Sequence, residues 1–385
     1  MSDAAQQILL TGATGAVGRE SLARMVRHPG TRVVCLVRGA SDEEAAQRIS
    51  ATLDELAHHG LSEEERSRVL ALRGDITREY MGLDKAKWDA LAAETTRIVH
   101  GAASVSWSLP LEEARRINVA GTSEMLRLAD AASRRGTLQA FDYVSTVMVA
   151  GKRQGLIGEE ELDSSAGFWS TYEQSKAEAE GIVRSRRGSL PVSIFRLSMV
   201  VGDSRTGHAS SFNVMYWPLK MLSRGMFWIA PADPQGVVDI VPVDYAVDAV
   251  EVLSADPAQR GKCFHIAAGP RCCCTVSEFL DLAVEVMGIR RPILVNPTIF
   301  LMMVKPLILS VTWGKRREAF HKGRVYVPYL SYKARFDDTQ ARAALEPAGL
   351  QPPPVGTYFR NVINYAIATE WGKHRGQDSA KGAAH

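Results

Sequence analysis

A phenol and an ammonium stand four residues apart in STYEQSKAEAE, residues 170–180: Tyr172 and Lys176. Glu, Gln, Lys and Ala dominate this stretch and no β-branched residue follows Thr171, so it reads as a helix. Residues four apart on a helix share one face, about a turn from each other. Beside a hydride acceptor such a pair is a proton-transfer device; on a wet helix it is two polar residues. The choice depends on whether the rest of the chain builds a redox site around it.

A second stretch with chemical meaning is TGATGAVG, residues 11–18, set between an apolar run and an amphipathic one. Gly12, Gly15 and Gly18 permit a tight turn and close approach of backbone to a pyrophosphate at a helix N-terminus. A glycine pattern alone is weak; its place between the first strand and first helix of a βαβ unit makes it strong. Thr11, Gly12, Thr14, Gly15, Ala16, Val17 and Gly18 are therefore the expected cofactor-binding residues of the turn. At the end of the second strand, where an NAD enzyme usually has an acid for the ribose hydroxyls, the residue is Arg38. A guanidinium suits the 2′-phosphate of NADP by charge and by fork geometry, and Arg48 on the next helix is placed to add a contact. The expected cofactor is NADP(H), with no metal.

The elements that must position these groups alternate. Apolar runs at 7–12, 32–39, 69–76, 96–103, 140–146 and 192–202 predict strands. Helical patterns fall at 16–28, 41–60, 111–132 and on the Tyr172 segment, the second opening on a Ser cap and an acidic first turn. Continuous apolar strands alternating with helices predict a parallel sheet covered on both faces. Beyond 202 the pattern weakens: 237–253 reads as a strand and helix returning to the main sheet, 262–269 as a further strand, and 275–288 as a helix.

Taken in order, the glycine turn, GDI after the third strand, HGAA after the fourth, YVST after the fifth and Tyr-x-x-x-Lys on the following helix resemble the extended short-chain dehydrogenase/reductase superfamily over about residues 7–270. The resemblance implies an α/β fold: a Rossmann-like doubly wound parallel sheet with a smaller C-terminal substrate lobe. It implies Asp75 and Ile76 near the adenine, and Gly101, Ala102, Ala103 and Ser104 along the cofactor. Tyr172 and Lys176 match the catalytic pair, Thr146 the hydroxyl position, and Asn118 in NVAGT the helix asparagine that supports a proton relay. Physical chemistry supports the first three roles independently. Hydride delivery to a carbonyl makes an oxyanion that needs a proton and a hydrogen bond. Tyr172 can give the proton, its pKa of about 10 lowered by a neighbouring Lys176 cation. Thr146 can bond the oxygen. His100 reads as a packed strand residue.

CLVRGASDEEAAQRI, IVHGAASVSWSLPLEEARRINVAGT and YVSTVMVAGKRQGLIGEEEL are similar to one branch, the thioester reductases and the fatty acyl-CoA reductases of the male-sterility type. That resemblance implies NADPH-dependent reduction of an acyl thioester, carried on CoA or an acyl carrier protein, to an aldehyde and, in some members, an alcohol. Ala177 stands where fatty acyl-CoA reductases often have tryptophan. A ketone, 3-oxoacyl or hydroxysteroid-type oxidoreductase would use the same three residues. A non-catalytic NADP-binding regulator is the alternative of a different class, and such relatives commonly lack the Tyr/Lys pair.

The chain has 385 residues, 46% hydrophobic and 23% charged, which fits a globular protein of one large domain or two intimate ones. Net charge is +3 with no basic stripe, against a nucleic-acid partner. Polar residues run straight into the first strand without a signal-peptide pattern, and five cysteines, three of them consecutive, suit reduced thiols and a cytoplasmic location. Residues 293–313, ILVNPTIFLMMVKPLILSVTW, are very apolar between basic flanks. Pro297, Lys305 and Pro306 argue against a plain spanning helix. Three readings stay open: a buried element of the small lobe, the wall of an acyl tunnel, or a peripheral membrane contact. Met215, Trp217, Met226 and Trp228 are candidates to line the same apolar pocket, or simply core. The expected division is a core at 1–204, a substrate-lobe segment at 205–236, a return to the core at 237–270, a C-terminal lobe at 271–375 and a disordered tail at 376–385. A homodimer through the helices near 111–132 and 171–187 follows only by analogy.

Overall fold

The computed structural model describes residues 6–212, 214–226, 228–300, 302 and 324–373, so the expected tail and residues 303–313 of the apolar stretch lie outside the described residues. The strands are β1 (Gln6–Thr11), β2 (Thr31–Val37), β3 (Val69–Arg73), β4 (Arg97–His100), β5 (Ala140–Thr146), β6 (Gly155–Ile157), β7 (Val192–Leu197) and β8 (Met199–Val201). After them come β9 (Ile229–Pro231), β10 (Val237–Val238), β11 (Ile240–Pro242), β12 (Cys263–Ile266), β13 (Cys274–Thr275), β14 (Ile293–Val295) and β15 (Ala334–Phe336). The helices are α1 (Ala16–Met25), α2 (Asp42–Glu55), α3 (Glu63–Ser67), α4 (Lys85–Glu94), α5 (Leu111–Arg115), α6 (Gly121–Arg134) and α7 (Thr171–Arg184). They continue with α8 (Tyr216–Ser223), α9 (Val243–Ala255), α10 (Gly269–Cys272) and α11 (Val276–Met287), and a last long helix spans Val355–Ala368.

Seven strands form one parallel sheet in the order β12-β7-β5-β4-β1-β2-β3. The chain winds outward from β1 through β2 to β3, then returns to the other side of β1 with β4, so the winding reverses between β1 and β4. Ligands of open α/β sheets bind in the crevice that such a reversal leaves at the carboxyl ends of the strands. Both faces are covered because successive side chains point opposite ways. In β1, Ile8 and Leu10 pack with Leu22 and Met25 of α1 and Ile49 of α2, whereas Leu9 packs with Trp88 of α4 and Met125 and Leu128 of α6.

Several local features depart from the expected elements. The run 192–202 is not one strand: it breaks at Ser198, whose hydroxyl donates to the Asp239 carbonyl at 2.7 Å. Beyond the break β8 leaves the main sheet and pairs in parallel with β11. The strand in 237–253 accordingly does not rejoin the main sheet; β12 does, beside β7, while α9 packs against β7 and β12. The helix expected at 111–132 is interrupted by a wider, π-helical turn over Arg116–Ala120. Within the segment 271–375, assigned from sequence to the small lobe, β15 pairs in parallel with β6. The Glu159 carboxylate accepts from the amides of His265, Gln340 and Ala341, tying that segment to the sheet edge. The five cysteines are free thiols.

Helix α7 starts at a capping box: the Ser170 hydroxyl accepts from the Glu173 amide, and the Glu173 carboxylate accepts from the Ser170 amide. Two turns along, Glu180 meets Arg196 of β7 at 2.7 Å, with side chains 0% and 1% exposed. Ser145 and Arg184 complete the carboxylate's shell at 2.7 and 2.8 Å. Burial opposes ionisation of Glu180, but Arg196 overrides it and holds the pKa down to about 2. Removing one partner of such a pair costs about 3–5 kcal/mol, because the other charge stays buried. Arg196→Met is expected to lose that much in urea denaturation at pH 7. In the wild type, the contribution of Glu180 is complete above its ordinary value of 4.5 and fades as pH falls toward 2. In the variant, burial raises the Glu180 pKa instead. The stability gap should therefore narrow as pH falls from 7 to 4; a gap that is constant with pH would disprove the charge argument.

Candidate active site

The crevice at the winding reversal is walled by glycine. Gly12 has φ +82°, and a Cβ there would fall 2.8 Å from the Gly101 carbonyl carbon; one on Gly18 would fall 2.1 Å from the Gly12 oxygen. The turn after β1, the start of α1 and the loop after β4 thus share a space that only glycine leaves open. Gly15 caps α1 with no side-chain acceptor and is exposed, and Ala16, Val17 and Gly18 are half-buried. First-turn amides without a side-chain cap are a ready anion site. Thr14 is half-buried there, its carbonyl held by Arg19 at 2.8 Å. This cradle fits the pyrophosphate of a dinucleotide.

Arg38 lies exposed at the end of β2, and Arg48 donates to its carbonyl at 2.8 Å. The two cations expected from sequence to meet a 2′-phosphate therefore adjoin each other past the end of β2. Arg73 joins them, paired across the sheet with Val37 and bonded to Asp42 at 2.9 Å and to the Ala40 carbonyl at 2.9 Å. Sequence reasoning missed Arg73; the parallel register of β2 and β3 was the signal. Asp75 turns inward to accept from the Thr77 amide and hydroxyl at 2.9 and 2.8 Å. Ile76 is buried against Gly121 of α6. Ala102 donates to the Thr11 hydroxyl at 3.1 Å, and Ala103 follows it half-buried in the same loop.

Asn118 lies in the π-helical turn and grips Ser104 twice. Its Oδ1 accepts from the Ser104 amide at 2.8 Å and its Nδ2 donates to the Ser104 carbonyl at 3.1 Å. Nδ2 also donates to the Ser175 hydroxyl at 2.9 Å. The side chain thereby holds the cofactor-side loop against α7.

Tyr172 is in the first turn of α7, and the Thr146 hydroxyl at the end of β5 hydrogen-bonds it. Burial pushes the phenol up to about 12, partly offset by Thr146. Lys176 is buried, and desolvation pulls its amine down to about 7, with Glu180 pulling the other way. Here the structure corrects an expectation: the ammonium does not lower the phenol. Its Nζ donates to the Tyr143 hydroxyl at 2.8 Å and the Val144 carbonyl at 2.9 Å. At neutral pH Tyr172 therefore keeps its proton, the state a donor to an oxyanion requires. His100 is no acid or base either. It is buried between Thr11 and Thr122, and desolvation with the Lys176 charge lowers it to about 3.

A cavity of about 230 Å³ is lined by Val147 and Met148, the residues that follow Thr146 in the chain, and by Trp107. Met215 and Trp217 line it as expected; Trp228, 70% exposed, and Met226 do not. From the apolar stretch 293–313, Leu294 and Phe300 line the cavity, while Ile293, Ile299 and Met302 face outward. Tyr326 and Tyr329 were not legible in sequence: Tyr329 packs against Trp107 with ring centroids 4.5 Å apart and planes tilted by 37°, and donates to Glu173, next to Tyr172 in the chain. Among the described residues no helix is long and apolar enough to cross a membrane.

The chain is 31% identical over 268 residues to a linear gramicidin synthase of Brevibacillus parabrevis, covering 68% of this chain and 5% of that one. It is 33% identical over 290 residues to the carboxylic acid reductase of Mycobacterium tuberculosis, covering 67% and 24%. It therefore spans only a small part of these relatives. In structure it is similar to the terminal R domain from the myxalamid PKS-NRPS biosynthetic pathway, with TM-score 0.83, 27% identity and coverage of 97% of this chain and 93% of that one. The male sterility protein family model matches residues 10–250, from the glycine cradle into α9. With that match covering well over half its length, the chain belongs to the male sterility family, NAD(P)-dependent reductases of the extended short-chain dehydrogenase/reductase type.

Proposed function

We propose that the protein is an NADPH-dependent reductase of acyl thioesters with an apolar acyl group. The observation that carries this is a glycine-walled crevice at the winding reversal together with an apolar, aromatic-rimmed cavity lined by Val147 and Met148, the residues that follow Thr146. A polar or charged acyl group would lose its hydration in such a cavity without finding partners. The carboxylic acid reductase and the R domain are consistent with the reaction. The thioester arrives on CoA or on an acyl carrier protein, which share the same thiol arm. A homodimer across the α5–α7 face and a peripheral membrane contact at the exposed Trp228–Ile293 edge belong to the same proposal.

The glycine cradle with Arg38 and Arg48 would hold NADPH, which would supply the hydride when bound. The chain does the rest. The hydroxyls of Thr146 and Tyr172 hold the thioester carbonyl oxygen. As that oxygen gains charge, Tyr172 delivers its proton, and the carbonyl carbon, now bonded to hydrogen, oxygen and sulfur, is a hemithioacetal. Breaking its C–S bond releases the thiol and leaves the aldehyde. Donors fixed in a water-poor site act strongly on developing charge because nothing has to reorganise.

Purified protein given NADPH and a saturated acyl-CoA series should release one thiol for each aldehyde formed, with turnover rising as the chain fills the cavity. NADPH oxidation without thiol would replace the thioester by a ketone. Tyr172→Phe should lower turnover by about 10²–10⁴; unchanged turnover would remove Tyr172 from the chemistry. Arg38→Ala should weaken NADPH binding at least ~10-fold and leave NADH nearly unaffected, as read by cofactor fluorescence. Equal losses for the two would remove the 2′-phosphate role.

A further inference from the structure

An ammonium has three N–H donors and nothing to accept with. Lys176 commits two of them, to the Tyr143 hydroxyl and the Val144 carbonyl. Both acceptors belong to β5, so the third proton must point away from that strand. Its direction is only as well defined as the Tyr143 oxygen is, and a tyrosine hydroxyl can turn. What stops it turning can be worked out donor by donor.

Thr122 Oγ1 donates to the Asn118 carbonyl at 2.6 Å, so its one hydrogen is spent and every other contact to it is a donor. His100 Nε2 lies 3.1 Å from that oxygen and therefore carries the ring hydrogen. His100 Nδ1 is then bare and accepts from Thr11 Oγ1 at 2.8 Å. Thr11 can donate there because its oxygen already accepts from the Ala102 amide. Thr122, beside the Tyr143 hydroxyl and with its own hydrogen spent, can only take that hydroxyl's hydrogen, which leaves the Tyr143 lone pairs for Lys176. The bonds thus run one way, from Lys176 through Tyr143 to Thr122, and from Thr11 through His100 to Thr122, all ending on the Asn118 carbonyl. Thr11, His100, Thr122, Asn118 and Tyr143 are all buried, so water does not substitute for a missing member.

We propose that Tyr143 is the positioning residue for Lys176, and that Thr122 and a neutral His100 keep the Tyr143 hydrogen turned away from Nζ so that the third ammonium proton is aimed off the sheet, toward the crevice. The proposal rests on Lys176 serving the reduction. It accounts for three polar side chains, His100, Thr122 and Tyr143, that the hydride and proton steps do not otherwise use. The Tyr143 ring contributes separately, its centroid 4.2 Å from Nζ, so a phenylalanine retains the ring face and removes only the oxygen.

The test uses the full chain, NADPH and dodecanoyl-CoA between pH 6 and 9. Tyr143→Phe is expected to lower kcat about tenfold or more, the scale of a misaimed group. It should also move the alkaline limb of the profile to lower pH, because the ammonium has lost an acceptor. Thr122→Val should reproduce both effects, since the Tyr143 hydroxyl is then free to turn, and Thr122→Ser should restore both. A purely structural role would lower the thermal midpoint and leave the pH limb in place. Unmoved kcat and pH limb in Tyr143→Phe and Thr122→Val, with Tyr172→Phe inactive in the same assay, overturn the positioning role alone. An active Tyr172→Phe overturns the reading of the site, and this role with it. Independently of any substrate, the ¹⁵Nζ signal of Lys176, assigned by its absence in Lys176→Met, should titrate at lower pH in Tyr143→Phe and Thr122→Val than in the wild type. Identical titrations would likewise overturn the proposal.

Discussion

Helix α7 buries an ammonium and a carboxylate one turn apart, Lys176 and Glu180, and much of the site depends on how those two charges are satisfied. Taking an ion out of water costs several kcal/mol even after the protein relaxes. Nearby strands must therefore present a partner to each, at one register of helix against sheet. β5 offers Tyr143 and Val144 to Lys176, and Ser145 to Glu180; β7 offers Arg196 to Glu180. A slip of α7 by one residue would strand both charges. Tyr172, one turn before Lys176 on the same stripe, is brought to Thr146 by this same register. The placement of Tyr172 on α7 is thus tied to charge satisfaction deeper in the fold.

Two kinds of space meet at that register. On one side, glycine leaves room for phosphate and backbone amides face it without competing side-chain acceptors. On the other, aromatic and aliphatic side chains wall a cavity with few polar groups. The boundary is the turn Val147–Ala150, whose first amides are capped by Thr146. One threonine hydroxyl therefore belongs to the strand end, to the turn that begins the cavity wall, and to Tyr172. This shared use joins the end of β5 to the turn whose Val147 and Met148 line the apolar cavity.

What could be read from sequence follows the range of the interactions concerned. Apolar runs and caps are local, so the strands of the main sheet and the start of α2 at Ser41 were legible, as were the glycine cradle and the i,i+4 spacing of Tyr172 and Lys176. The departure of β8 was not, because a continuous apolar run does not reveal that Ser198 will bond the Asp239 backbone and redirect the strand. Nor was Tyr143 as the acceptor for Lys176, 33 residues away in sequence. His100 was legible as a packed strand residue, but its bonds to Thr11 and Thr122, 89 and 22 residues distant, were not. The aromatic rim from Tyr326 and Tyr329 reaches the site only through tertiary folding. Asn118 was found by resemblance, but its grip on the Ser104 backbone depends on where the 101–104 loop lies.

The protonation states of the pair also follow from burial rather than from mutual attraction. Desolvation favours the neutral form of both groups, raising the phenol to about 12 and lowering the amine to about 7. Two neighbours tuned by mutual charge would instead converge on a phenolate beside an ammonium. The observed arrangement leaves the proton on Tyr172 at neutral pH and puts the Lys176 amine at about 7, where small changes in its surroundings alter its charge. Glu180 supplies the opposing pull that keeps Lys176 from falling further, while Arg196 prevents Glu180 from itself becoming neutral. The order of dependence thus runs from the buried Arg196–Glu180 pair to Lys176, while the phenol is set by its own burial and by Thr146.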